Sequence, residues 1–170
     1  MACDITAGRL KQCKQSLGGL GTLYLFNFVE NPFTVAAGVA TAINPLLTVV
    51  YKYEIEGDGN KVDENLVPDR NSGTSVNTQT MTIVLKKIDA ATSLQMNLLA
   101  YGFPMAVIKD RNGVYHALGI DDGIDFSVAQ STGGAKTEMN GYTLTGVATT
   151  GALSPKLDSD TITDFLALVD

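Results

Sequence analysis

The sequence has no tryptophan, a single histidine, two cysteines and few charged residues, and each scarcity argues against a class of function. Charged residues make up 18% of the chain, below the roughly one quarter that is usual for soluble proteins. Two interpretations fit this low charge. Part of the surface is buried against other subunits, or the chain is a β protein rich in Gly, Thr and Asn.

The cysteines and the histidine do not form a recognisable reactive site. Cys3 and Cys13 are too few for a disulfide framework, and they lack the partners of a zinc site. We expect both thiols to be reduced. His116 lies between apolar residues in VYHALG, so we interpret it as a packing residue, although a Ser-His-Asp or Cys-His site would have to use it.

Acidic residues at turns also give weak signals for chemistry. Asp58-Gly59-Asn60 begins like a calcium-binding loop, but Val62 and Asp63 stand where an EF-hand needs an acid or amide and then glycine. Only a weak, irregular cation site stays open there. No GxxxxGK[ST] phosphate loop occurs. We therefore expect a protein that is not an enzyme and has no cofactor and no bound metal.

No apolar run approaches the ~20 residues of a membrane-spanning helix, and MACDITAGRLKQCK lacks the apolar core of a signal peptide. We expect no membrane contact and a cytoplasm-like compartment. The net charge of −6 argues against sequence-specific binding of nucleic acid, which needs a cationic surface. An acidic surface past which nucleic acid slides is still compatible with this charge.

The pattern along the 170 residues predicts one mainly β domain. Residues 21–28, GTLYLFNF, are apolar on both faces and predict a strand buried on two sides, and 33–39 are a candidate for another. Residues 47–56 alternate as a half-exposed strand, and residues 77–88 look like the strand that pairs with it. Residues 57–76 between them predict a long loop or hairpin excursion. Residues 54–70 hold six acids and two bases.

Two helices are predicted. Residues 89–101 have Asp89 as N-cap and Gly102 as the stop. An apolar stripe of Leu94, Leu98 and Tyr101, with Leu99 beside it, is the side that we expect to pack on a sheet. Residues 158–170 predict a short C-terminal helix, with Ser159 or Asp158 as its N-cap, that docks on the domain. Residues 1–19 are either a short helix or an extended arm that would be a natural contact with a neighbouring subunit.

The segment from Asp110 to Pro155 reads as three or four strands joined by marked turns. Asn112-Gly113 between two apolar runs is a strong hairpin signal, because both residues accept a positive φ. Asp121-Asp122-Gly123 predicts the next turn. We interpret its acids, together with Asp125, as solvated turn residues and not as a metal site.

This same segment is similar to a known family. The hairpin DRNGVYHALG, the GID strand, STGGAKTEMNGYTLTGVA and Pro155 resemble the C-terminal region of tail-tube-like structural proteins of tailed bacteriophages, especially phages of Bacteroidetes. The opening is also similar, with its two cysteines, Gly18-Gly19 and TLYLFNF. The resemblance extends in order over about 90% of the chain.

The resemblance implies a β-sandwich or curled antiparallel barrel with one flanking helix, for which residues 89–101 are the match. Subunits of this family form rings around a channel, and a long loop or hairpin, here 57–76, reaches the neighbouring ring. The channel wall is usually acidic. We therefore expect Glu54, Glu56, Asp58, Asp63 and Glu64 to line the channel or the contact between rings, and their placement on the outer surface would contradict this.

The implied partners are other copies of the chain in a hexameric or dodecameric ring, adjacent tail or portal (connector) proteins, and genomic DNA that passes without specific binding. The implied location is the tail of a virion assembled in the host bacterial cytoplasm. Two alternatives stay open. One is a capsid decoration or auxiliary head protein, which is also β-rich. The other is a carbohydrate-binding β-sandwich module, which would need exposed aromatic side chains in a row.

Overall fold

The computed structural model describes residues 4–170 as a mainly β fold with two sheets and two helices, as the sequence predicted. The strands are β1 Leu20–Phe26, β2 Phe33–Ala36, β3 Val39–Ile43, β4 Tyr51–Glu54, β5 Lys61–Asp69, β6 Thr74–Lys86, β7 Met105–Asp110, β8 Tyr115–Leu118, β9 Asp125–Ser131, β10 Gly141–Thr150 and β11 Lys156–Leu157. The helices are α1 Ala90–Tyr101 and α2 Ser159–Leu166.

The larger sheet has seven strands in the order β2-β3-β11-β8-β7-β1-β4, and the smaller has four in the order β5-β6-β10-β9. Most neighbours are antiparallel, and the short β11 runs parallel to β3. Within residues 4–170 neither sheet closes into a barrel. Each sheet therefore ends in two strands whose outer backbone groups have no strand partner in the described chain: β2 and β4 in one, β5 and β9 in the other.

The centre of the seven-stranded sheet is buried on both faces, as predicted for residues 21–28, although the strand ends at Phe26 and Phe28 is half-exposed. Leu23 and Leu25 of β1 belong to a core shared with the four-stranded sheet and α1. Tyr24 and Phe26 point the other way, into a second core that α2 covers with Phe165. Successive residues of a strand face opposite sides, so an apolar run without alternation serves two cores.

Residues 57–76 do not form a loop between two paired strands. They contain β5 and the start of β6, which form a hairpin with Pro68 opposite Ser75 and a turn at Asp69–Thr74. The predicted pairing of 47–56 with 77–88 is wrong. β4 pairs with β1, whereas β6 lies between β5 and β10 in the other sheet. Alternation shows that a segment is a strand but not which strand it joins.

The two helices are confirmed, and so are their caps. Asp89 accepts a hydrogen bond from Thr92 N–H at 2.8 Å at the start of α1, and Gly102 N–H donates to the Leu98 carbonyl at its end. At the start of α2, Asp158 accepts from Thr161 N–H at 2.7 Å. The predicted packing side of α1 is wrong, however, because α1 buries Met96 and Leu99 in the core.

The Asn140-Gly141-Tyr142 element joins β10 to the start of α1. The Asn140 side chain accepts from Ile88 N–H at 3.1 Å, and its carbonyl accepts from Lys87 N–H at 2.6 Å. The buried Tyr142 hydroxyl lies 2.6 Å from Ser93 Oγ and donates to the Asp89 carbonyl at 3.0 Å. A Cβ on Gly141 would overlap the Leu85 carbonyl oxygen, so only glycine fits between β10 and β6.

Residues 4–19 form no helix, so the short helix predicted there is wrong for the part of the chain that the structure describes, and we call this segment the arm. Residues 4–18 are exposed, and Asn112 holds the root of the arm by two 2.8 Å hydrogen bonds with the backbone of Leu17. The thiol of Cys13 is free and exposed. Cys3 lies outside the described residues.

Candidate functional site

The outer side of α1 is an exposed apolar surface near the edge strand β4. Leu94, Leu98 and Tyr101 are 58%, 56% and 82% exposed. At 3.6 residues per turn they share one side of the helix, opposite Met96 and Leu99. The sequence analysis expected this stripe to pack on a sheet of the same domain, but within the described chain it is exposed.

A groove of about 250 Å³ continues this apolar surface toward the larger sheet. Leu98 lines it on the helix side, and the half-exposed rings of Phe28, Tyr51 and Phe103 line it as well. Tyr51 is the first residue of the edge strand β4. The groove therefore combines exposed aromatic rings with a strand edge whose N–H and C=O groups are open to pairing. We call Leu94, Leu98, Tyr101, Phe28 and Phe103 the α1 apolar surface.

Exposed apolar side chains lie on both faces of the end of the hairpin formed by β5 and β6. Leu66 and Val67 of β5 and Val76 of β6 are all more than 40% exposed. Residues 65–76 have no buried side chain, unlike the base of the hairpin, where Asn77, Gln79 and Met81 are buried. The end of the hairpin thus projects beyond the cores of the domain.

Four of the five acids predicted to line a channel are exposed, and each is paired with a base. The distances are 2.7 Å for Glu54–Lys52, 3.8 Å for Glu56–Lys86, 3.5 Å for Asp58–Arg111 and 2.7 Å for Asp63–Lys61. Exposed pairs of this kind contribute little to stability. They do reduce the negative potential of this region, because the fold brings in bases from outside residues 54–70.

Glu64, the fifth of these acids, is turned inward. Its carboxylate accepts hydrogen bonds from Ser154 N–H at 2.8 Å and Asn77 Nδ2 at 2.9 Å, and also from the Ser154 hydroxyl and Gln79 Nε2. Burial alone would raise the pKa of Glu64, but these hydrogen bonds outweigh it and hold the pKa below its usual value. Glu64 ties the base of the hairpin to the segment before β11.

The excess negative charge lies elsewhere. Residues 119–170 hold eight carboxylates and two lysines, whereas residues 1–118 hold ten acids and ten bases. Much of this excess lies at one end of the larger sheet, where residues 27–50 and 157–170 pack together through β2, β3 and α2 and contain no lysine or arginine. We call these two segments the acidic end.

The weaker chemical signals do not converge on a reactive site in the described chain. His116 Nε2 lies 3.3 Å from Asp110 Oδ2 in a cleft that no serine or cysteine of residues 4–170 lines. Burial would raise the pKa of Asp110, but hydrogen bonds from Val114, His116 and Asn112 hold it lower. Residues 4–170 contain no cluster of three potential metal ligands.

In the segment that resembles the start of a calcium-binding loop, the side chain of Asn60 is buried and forms hydrogen bonds with backbone groups. Its side chain accepts from Val84 N–H at 2.7 Å and donates to the Glu56 carbonyl. Asp58 next to it is fully exposed and lies 3.5 Å from Arg111. The motif is a connection between the sheets, not a set of convergent ligands.

No protein-family model matches this chain, and neither the curated proteins nor the solved structures contain a similar one. No helix within residues 4–170 has the length and apolar character needed to span a membrane. The geometry of the exposed surfaces is therefore the main support for a function. Sequence reasoning missed Phe28, Phe103 and the hairpin end, and no periodic signal marked them as exposed.

Proposed function

We propose that this chain is a structural virion protein that associates with copies of itself into a ring or tube, which forms the DNA-conducting channel of a phage tail. The observation that carries the proposal is the α1 apolar surface beside the open edge of β4. Contiguous apolar patches of this kind are uncommon on monomers and mark contact surfaces. The similarity of residues 110–155 to tail-tube-like proteins points in the same direction.

Edge strands supply the second support. An uncovered edge is a liability for a monomer, because it offers backbone groups to any extended chain. The described chain has four such edges. Head-to-tail association around an axis pairs an edge of each subunit with the next one, and a rotation that closes makes a ring. The projecting hairpin end, with Leu66, Val67 and Val76, is suited to contact a second ring or a neighbouring tail protein.

The channel part of the proposal rests on the four exposed acids, Glu54, Glu56, Asp58 and Asp63, and no longer on Glu64. With a base beside each acid, the proposed wall is close to neutral and well hydrated. Such a wall would let DNA slide past without strong attraction or repulsion.

The experiment is electron microscopy and sedimentation velocity of the purified protein over a range of concentrations. We expect rings or tubes, and we expect L94Q/L98Q to remain monomeric under the same conditions. L153Q is the matched control, because Leu153 is 53% exposed but lies away from α1. Wild-type protein that stays monomeric at high concentration would refute the proposal. Closed trimers or pentamers without a central pore would favour a capsid decoration protein instead.

The channel is tested separately on assembled rings. We expect wild-type rings to retain no double-stranded DNA in a filter-binding assay, and E54K/E56K rings to retain it through a cationic lumen. E30K/D122K changes the net charge by the same amount at positions outside the proposed wall. Equal DNA retention by the two variants would refute the proposal that the four acids line the channel.

A carbohydrate-binding module is the second candidate, because Phe28, Tyr51 and Phe103 line one groove. Aromatic rings in a row are what such a module needs. Leu98 in the same groove favours a protein partner, since an aliphatic side chain offers neither a stacking face nor a hydrogen bond to a sugar. Binding of soluble polysaccharides by calorimetry, lost in Y51A, would support this alternative.

A further inference from the structure

The N-terminal arm carries apolar and basic residues that are exposed to solvent. Ile5 and Leu10 are 94% and 87% exposed. Leu10 is flanked by Arg9 and Lys11, and residues 4–14 have three bases and one acid. Leu10 is thus an exposed apolar side chain between two cations. This pattern indicates a segment that binds to another molecule.

A matching cleft lies at the acidic end. It has a volume of about 330 Å³ and lies between the segment after β3 and α2, with apolar walls from Ile43, Leu47 and Leu168. Asp164 is on its rim, and Asp160 is one turn earlier on the same side of α2. The cleft is therefore apolar inside and anionic at the rim, the inverse of Arg9-Leu10-Lys11.

The arm and the cleft lie at opposite ends of the larger sheet. The arm leaves at the start of β1, beside Asn112, whereas the cleft lies just before β4, whose Tyr51 pairs with Leu25 near the end of β1. The length of β1 alone separates them by roughly 20 Å. Fully extended, the seven residues from Leu10 to the anchor at Leu17 span roughly 23 to 25 Å, so Leu10 can reach the cleft of a second copy that lies beside the start of β1.

From this charge complementarity we propose that the arm of one copy binds the acidic end of a second copy. Leu10 enters the cleft, and Arg9 and Lys11 pair with Asp160 and Asp164. The contact joins two different surfaces, so its repetition in one direction produces closed rings or open stacks. The inference rests on the proposed function in one respect, since both require copies of this chain to associate.

Cross-linking tests the contact directly. In a chain with Cys3 and Cys13 changed to serine, one variant receives Leu10→Cys and a second, differently tagged variant receives Thr48→Cys on the cleft. We expect a disulfide between the two variants on mild oxidation, at least about tenfold faster than with Lys136→Cys as the second position. Equal rates at the two positions, or a disulfide formed only within a chain that carries both cysteines, would overturn the proposal.

Charge exchange tests the pairing. We expect R9E/K11E to raise the concentration for half-assembly by about tenfold or more, D160K/D164K to do the same, and the combination of the four changes to restore assembly. K14E/K136E is the control, because it alters the net charge as much as R9E/K11E does without touching the flanks of Leu10. Assembly of R9E/K11E equal to that of K14E/K136E would contradict the pairing.

The outcomes separate the two proposals. Wild-type assembly that is unaffected by the arm variants would refute the arm contact and leave self-association intact. Wild-type protein that never associates would refute both. Loss of assembly in L94Q/L98Q with the Leu10–Thr48 cross-link preserved would show that the arm joins copies independently of the α1 apolar surface.

Discussion

Replacement of Glu64 by alanine should weaken the domain far more than its partly exposed position suggests. The Glu64 carboxylate is the acceptor for Asn77 and Gln79, which are 0% and 3% exposed, and for the backbone of Ser154. In E64A, Gln79 Nε2 and the Ser154 N–H lose their acceptor, whereas Asn77 Nδ2 keeps the Thr150 hydroxyl and the Ala152 carbonyl. An unsatisfied buried donor costs about 1–3 kcal/mol, and water that enters the vacated space recovers part of this. We expect a loss of about 2–4 kcal/mol in the free energy of unfolding.

Thermal unfolding followed by circular dichroism measures this loss at protein concentrations where the chain is monomeric. For a domain of this size, about 1 kcal/mol corresponds to roughly 2–4 °C in Tm, so E64A should melt roughly 4–16 °C below wild type at pH 7. E64Q is the matched control. Its amide oxygen can keep the three N–H donors, and its NH₂ group can donate to the Ser154 hydroxyl, so we expect E64Q to lose less than half as much.

The pH dependence has a defined sign. Hydrogen bonds lower the pKa of Glu64 in the folded state, so its stabilising contribution is complete above the unfolded pKa of about 4.3. The contribution is lost as the pH falls through the folded pKa. The stability gap between wild type and E64A should therefore narrow below about pH 4. A gap under about 0.5 kcal/mol at pH 7, or one that does not change with pH, would refute the role of Glu64 as a buried acceptor.

Three further outcomes follow from the packing around α1 and β10. G141A should lose about 3 kcal/mol or more, because its Cβ would overlap the Leu85 carbonyl, whereas G151A, with open space around it, should unfold like wild type in urea. Y142F should lose about 1–2 kcal/mol with unchanged secondary structure, since its hydroxyl bonds the start of α1. L98Q should leave the Tm of the monomer unchanged, whereas L99Q should lower it by several degrees, and equal shifts would contradict the orientation of α1.

The sequence predicted local structure correctly where the conformation of a short segment depends mainly on its own residues. Asp89 and Asp158 are N-caps because their carboxylates reach an N–H three residues on. Asn112-Gly113 makes the β7–β8 turn because Gly113 has φ of 84°. The two-sided burial of β1 followed from its uninterrupted apolar run.

The sequence did not predict which strands pair or which side of α1 packs against the core. Residues 47–56 and 77–88 alternate alike, yet they join different sheets, since pairing depends on the whole set of competing strands. α1 has apolar residues on opposite sides, so its periodicity fits either orientation. The fold buries Met96 and Leu99 and leaves Leu94 and Leu98 exposed.

The sequence by itself determined a β-rich chain with two capped helices, marked turns and low charge, because propensity, capping and turn geometry act over a few residues. Only the tertiary structure decided which charged residues are paired or buried and which apolar residues are exposed. It pairs Glu56 and Asp58 with the distant bases Lys86 and Arg111, turns Glu64 inward and leaves one side of α1 uncovered. These outcomes depend on contacts between residues far apart in the chain, which no local pattern encodes.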